Sequence, residues 1–130
     1  MKYYLADTHA LYWYLSASPQ LGDNDKAAFE EGVKGDAQIL IPSIVLAELY
    51  YLNVKVKSLI PFTEWTRHLG ENDQFMFVAL IAPNVLDFDR DGAVTEMHDR
   101  IIVGAARRAG AILLTKDHNI VDSGLVPTLW

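Results

Sequence analysis

Apolar residues gather in four short runs along the chain, and between the runs the pattern shifts to a helical period. Residues 2–7 (KYYLAD) are almost wholly apolar without alternation, the signature of a strand buried on both faces of a parallel sheet. That run stops on Asp7, and residues 8–17 predict a helix with apolar residues on nearly every side, capped by Asp7 or Thr8. A turn then leads to an amphipathic helix capped by Asn24 or Asp25, running to about Val33 and stopped at Gly35. The run AQILIP predicts a second strand closed by Pro42, and Ser43 is placed to cap a helix to about Lys55.

Residues 61–72 predict another helix, capped by Thr63 and with Gly70 near its end. The aromatic-rich run FMFVALIA predicts a third strand, and residues 83–97 are mostly turn with room for a short helix. HDRIIVGAARRAG predicts a helix with Ile101, Ile102, Ala105 and Ala106 on one side and Gly110 as its stop. AILLT predicts a fourth strand, and LVPTLW a terminal fifth held to an edge by Pro127. Strands alternating with helices predict an α/β fold, a three-layer sandwich around a mainly parallel sheet of four or five strands. The 130 residues fit a single domain spanning 1–130, with no repeat or linker to divide them.

In such sheets ligands bind beyond the carboxyl ends of the strands, which directs attention to the acids there. Asp7 ends the first strand, Glu48 lies in the helix after the second, Asp99 opens the helix before the fourth, and Asp117 follows the fourth. Singly each has an ordinary explanation: Asp7 or Asp99 as a helix cap, Glu48 as a solvated helix residue, Asp117 as a turn former. Glu48, however, sits in the apolar run IVLAELYYL, where a carboxylate is costly to bury without a partner. Four carboxylates converging on one sheet edge repel one another unless cations lie between them. Oxygen donors without Cys select magnesium or manganese over zinc, and an ion of that kind suits phosphodiester cleavage.

Composition alters this picture little. The chain is 51% hydrophobic and 22% charged, has no Cys, and shows neither an apolar run of membrane length nor a signal-peptide pattern, so a cytoplasmic location away from membranes is expected. The net charge of -6 argues against a nucleic-acid partner, but setting the four acids aside leaves -2. No G-x-S-x-G elbow, Walker A or G-x-G-x-x-G loop is present. A haloacid-dehalogenase type of site would need an acid two positions after Asp7, where His9 stands, and His9, His68 and His118 are scattered. Asp87, Asp89, Asp91, Gly92 and Val94 follow calcium-loop spacing, yet the twelfth position is His98 and not Glu, which favours a solvated turn. Tyr12, Trp13, Tyr14, Tyr50 and Tyr51 are expected to pack at an interface.

LADTHAL, IPSIVLAELYYL, HDRIIVGAAR and LLTKDHNI, with their four acids in this order, resemble the PIN domain, specifically VapC-like toxins of bacterial and archaeal toxin–antitoxin pairs. The resemblance covers essentially the whole chain. It implies a magnesium- or manganese-dependent ribonuclease, usually a homodimer, inhibited by a cognate antitoxin protein. Carried over, it makes Asp7, Glu48, Asp99 and Asp117 the catalytic, metal-binding pocket, with Asp7 and Asp99 as direct ligands and Thr8 and Thr115 as supporting hydroxyls. Many relatives carry Asp and Pro just before the third acid, where this chain has Glu96 and His98 in TEMHDR. For gripping RNA, Arg100, Arg107, Arg108 and Lys116 are the nearest cations in sequence. The alternatives are a non-catalytic interaction module on the same fold and a housekeeping RNA-processing nuclease.

Overall fold

In a computed structural model that describes residues 1–130, five strands form one all-parallel sheet in the order β3-β2-β1-β4-β5. They are β1 (Lys2–Ala6), β2 (Ala37–Pro42), β3 (Phe75–Val78), β4 (Ile112–Leu114) and β5 (Thr128–Leu129). Tyr4, Leu5 and Ala6 of β1 are buried in succession, as expected of a strand covered on both faces. Seven helices alternate with the strands: α1 (Thr8–Leu15), α2 (Asp23–Val33), α3 (Ser43–Lys55), α4 (Phe62–Glu71), α5 (Ala82–Leu86), α6 (Met97–Ala109) and α7 (His118–Ser123). A 3-10 turn, Phe88–Asp91, precedes α6.

From β1 the chain steps outward to β2 and β3 and then returns to the other side of β1 as β4 and β5. The order therefore reverses between β1 and β4, and a crevice opens at the carboxyl ends of strands at such a reversal. Leu5 lies opposite both Leu40 of β2 and Leu113 of β4, and one continuous cluster of 26 buried residues packs around the sheet. α6 ends on Gly110 at φ 62°, a left-handed conformation that suits glycine and turns the chain into β4.

Several local expectations change. Ser43 and Thr63 cap nothing: Pro42 and Pro61 occupy the cap positions, and the Ser43 hydroxyl donates to the Val78 carbonyl at 3.2 Å. Gly22, not Asn24 or Asp25, precedes α2, and Asp25 lies inside the helix, fully buried. The run after Phe75 breaks at Val78, and its remainder becomes an exposed connection and α5. The acid-rich turn is solvated only in part: Asp89 is exposed, but Asp91 is buried and ion-paired with Arg107, and Asp87 pairs with Arg108. Within the chain Tyr12 and Tyr14 of the aromatic run of α1 pack against the core. Tyr14 stacks on Phe29 with centroids 4.0 Å apart, and Tyr12 meets the Trp65 ring edge-on at 5.6 Å. Tyr50 and Tyr51 do remain exposed.

Candidate active site

Asp7 is the first residue beyond β1, and its backbone N–H donates to the Leu114 carbonyl at 3.2 Å, fixing it at the reversal between β1 and β4. It does cap α1: its Oδ1 accepts the Ala10 N–H at 2.9 Å. Asp117 likewise caps α7, with Oδ1 accepting from Asn119 and Ile120 N–H groups at 2.9 and 3.2 Å. In both residues one carboxylate oxygen orients the side chain and leaves the other for a ligand. Capping and ligand binding are therefore compatible uses of one carboxylate.

Asp99 lies in the first turn of α6 but is not its cap. Glu96 takes that role, accepting the Asp99 N–H at 2.8 Å, and the Asp99 side chain makes no hydrogen bond within the protein. Glu48 has the partners that its apolar setting demands. The Thr8 hydroxyl donates to its Oε1 at 3.0 Å, and His98 Nδ1 lies 3.6 Å from its Oε2. Buried Thr115 accepts the Asp117 N–H at 3.1 Å. Both predicted hydroxyls thus hold pocket acids or their backbone in place.

All four acids line one cavity of about 1120 Å³. Their charges act on one another. Asp99 is pushed up to about 6, chiefly by burial and then by the charges of Asp117, Glu96, Glu48 and Asp7. Burial also raises Asp7 and the Asp117 charge adds to this, while the Thr115 hydroxyl, the Ala10 N–H and His9 pull it down. Uncompensated negative charge and an all-oxygen donor set are what a hard divalent cation neutralises. No three of these side chains stand close enough to chelate one ion directly. A hard divalent cation there would take one or two of the carboxylates directly and complete its shell with water.

The predicted RNA-gripping cations divide. Arg107 is held by Asp91, Arg108 by Asp87 and the Pro83 carbonyl, and Arg100 by the Val94 and Phe88 carbonyls, so the three arginines tie the 83–94 connection to α6. Lys116 does line the cavity. So do Tyr51, expected from the sequence at an interface, and Lys55 and Leu52, which sequence reasoning passed over although all three follow Glu48 on one helical face of α3, at i+3, i+7 and i+4. Trp13 and Trp130 also reach the cavity, and no local signal marks them. Asp25 was missed as a buried acid, yet it shares the i, i+3, i+4, i+7 stripe with Ala28, Phe29 and Gly32. Burial, with the charge of Asp7 adding to it, pushes Asp25 up to about 8.

The fold has close counterparts among solved structures. A chain of VapBC2 from Rickettsia felis, bound to a DNA fragment from its promoter, is 19% identical with a TM-score of 0.71, covering 98% of this chain and 97% of that one. DNA-bound VapBC from Salmonella typhimurium gives 18% and 0.67 over 99% and 98%. A toxin–antitoxin complex from Klebsiella pneumoniae gives 18% and 0.66 over 95% and 94%. Comparison with curated protein sequences returns no match. The family model for the PIN domain matches residues 4–123, which take in β1 from Tyr4, β2, β3, β4 and all four acids, and the chain belongs to the PIN domain family.

Proposed function

We propose that this protein is a cytoplasmic, divalent-metal-dependent endoribonuclease that cleaves RNA phosphodiester bonds and serves as the toxin of a toxin–antitoxin pair. The observation that carries this reading is the meeting of Asp7, Glu48, Asp99 and Asp117, from four separate segments, in one cavity at the sheet reversal. Asp7 and Asp99 would hold a magnesium or manganese ion, with Glu48 and Asp117 binding its water shell. Such an ion supplies an activated water and neutralises charge developing on the phosphorus centre and leaving oxygen. The chain's own contribution is orientation. Capping bonds fix Asp7 and Asp117, and Thr8 fixes Glu48, so the acids need little reorganisation when the substrate enters.

The toxin assignment draws on the complexes in which the fold recurs: one is a toxin–antitoxin complex, and two are VapBC bound to DNA. A cognate antitoxin is therefore the proposed protein partner. A homodimer is supported by the edge strand β3 and its continuation, where Met76, Phe77, Leu80, Ile81, Val85 and Leu86 are exposed. No helix is long and apolar enough to cross a membrane.

RNA incubated with the protein and magnesium or manganese tests the catalytic reading, beside Asp7→Asn and Asp99→Asn variants. Cleavage by the unmodified protein alone supports it, equal cleavage by all three proteins overturns the role of the acids, and no cleavage by any of them favours a non-catalytic module. Growth arrest on expression, relieved by the product of the neighbouring reading frame, separates a toxin from a housekeeping nuclease.

A further inference from the structure

One wall of the cavity is built from aromatic rings and a cation rather than acids. Trp13 of α1 and Trp130, just after β5, meet edge to face with centroids 5.5 Å apart. The Lys116 ammonium lies over both rings, 4.7 Å from the Trp13 centroid and 5.4 Å from that of Trp130. Trp130 is secured from behind. Its carbonyl accepts from Asn24 Nδ2 at 2.8 Å, and its ring and backbone press so closely on Gly22 that a Cβ there would stand 2.6 Å away. Segments of α1, the start of α2 and the β5 terminus thus cooperate to place one exposed lysine beside Asp117.

Lys116 has no carboxylate partner within ion-pair distance, whereas Arg107 and Arg108 are paired with acids. Contact with indole faces localises an ammonium without neutralising its charge, so it stays available to an anion. Trp13 is only 8% exposed and has little face left for a base to stack on, while Trp130 is partly exposed, so experiment must separate a lysine cradle from a stacking platform.

We propose that Trp13 and Trp130 form a cradle that positions Lys116 to bind a backbone phosphate of single-stranded RNA next to the acidic pocket. Lys116 touches the substrate, and the two tryptophans are positioning residues. The proposal deepens the nuclease reading and rests on it for the identity of the polyanion.

The test measures binding of a fluorescent, unstructured oligoribonucleotide across a salt series, using the whole chain with Asp99→Asn so that the probe stays intact. Lys116 is exposed, so Lys116→Met leaves folding undisturbed. It should raise Kd about fivefold near 0.1 M salt and reduce the slope of log K against log salt by about 0.7, the share of one phosphate contact on a single strand. Trp130→Leu should raise Kd about threefold while Lys116 is present, have no further effect in the Lys116→Met background, and be rescued by Trp130→Phe. An unchanged slope in Lys116→Met, or no binding by the Lys116 protein, overturns the proposal. Equal weakening by Trp130→Leu in both backgrounds also overturns it, making the indole a base-stacking platform. Cleavage is scored separately. A wild-type chain that never cuts RNA but keeps the Lys116 salt signature sinks the nuclease reading alone.

Discussion

The Thr8 hydroxyl donates to Glu48 Oε1 at 3.0 Å, joining the first residue of α1 to the second turn of α3 across 40 positions of sequence. Thr8 is buried, so this bond holds Glu48 toward the cavity from a side that water does not reach freely. Thr8→Val keeps the shape and removes the donor. A misplacement of about 1 Å in a catalytic group costs about a hundredfold in rate, so cleavage should fall by about ten- to a hundredfold. Thr8→Ser, which keeps the hydroxyl, should retain most of the activity; a single-turnover assay with both variants checks the pair.

Asp25 couples stability to pH. Its carboxyl is fully buried, neither oxygen has a hydrogen-bond partner, and its pKa is pushed up to about 8 from an ordinary 3.8. The folded state thus holds a proton that the unfolded chain releases near pH 4. Stability from this group is complete below that pH and is lost as pH rises through about 8, with a slope approaching about 1.4 kcal/mol per pH unit. Urea unfolding from pH 5 to 8, compared with Asp25→Asn, should show a flatter profile in the variant.

Asp99 couples ion binding to pH. With its carboxyl pushed up to about 6, binding of a divalent cation below that pH must displace a proton. Apparent affinity for manganese should therefore fall by up to about tenfold per unit below pH 6 and level off above pH 7. Titration calorimetry at pH 5.5 in two buffers of different ionisation heat should register the released proton. Asp99→Asn should bind more weakly and release fewer protons, the remainder coming from Asp7, whose carboxyl burial also raises.

Arg107 and Asp91 form a pair in which the carboxylate is almost completely buried. Removing the cation with Arg107→Met leaves an unpaired buried charge, at a cost of about 3–5 kcal/mol. Cleavage per folded molecule should stay unchanged, because Arg107 is spent on the 83–94 connection and does not line the cavity. A raised KM for RNA with unaltered stability would instead assign Arg107 to the substrate. Denaturant unfolding beside steady-state cleavage distinguishes the two.

Local chemistry misled the sequence reading in specific places. At Ser43 and Thr63 the preceding prolines, Pro42 and Pro61, take the cap positions, since their fixed φ suits the residue before a helix as well as its first turn. The strand expected over residues 75–82 is cut short because β3 is an edge, paired with β2 only as far as Val78. α7 went unread because six residues are too few to show a period.

Much of the architecture follows from the sequence by itself. β1, β2 and β4 are unalternating apolar runs, and α6 carries its apolar stripe between an acidic start and Gly110. Asp7, Asp99 and Asp117 sit at strand or helix ends, with Glu48 in the second turn of the helix after β2, positions that a parallel arrangement gathers on one edge. These features are local, and burial on one or both faces writes a period that can be read directly. Only the tertiary structure decided which side of β1 receives β4, and with it the nearness of Asp117 to Asp7. It also decided that Glu48 finds Thr8, that Asp25 is sealed inside, and that Lys116 rests on Trp13 and Trp130 while three arginines turn to the 83–94 connection. Each of these depends on contacts between residues far apart in the chain. Packing and desolvation select such contacts over the whole molecule, and no local pattern records them.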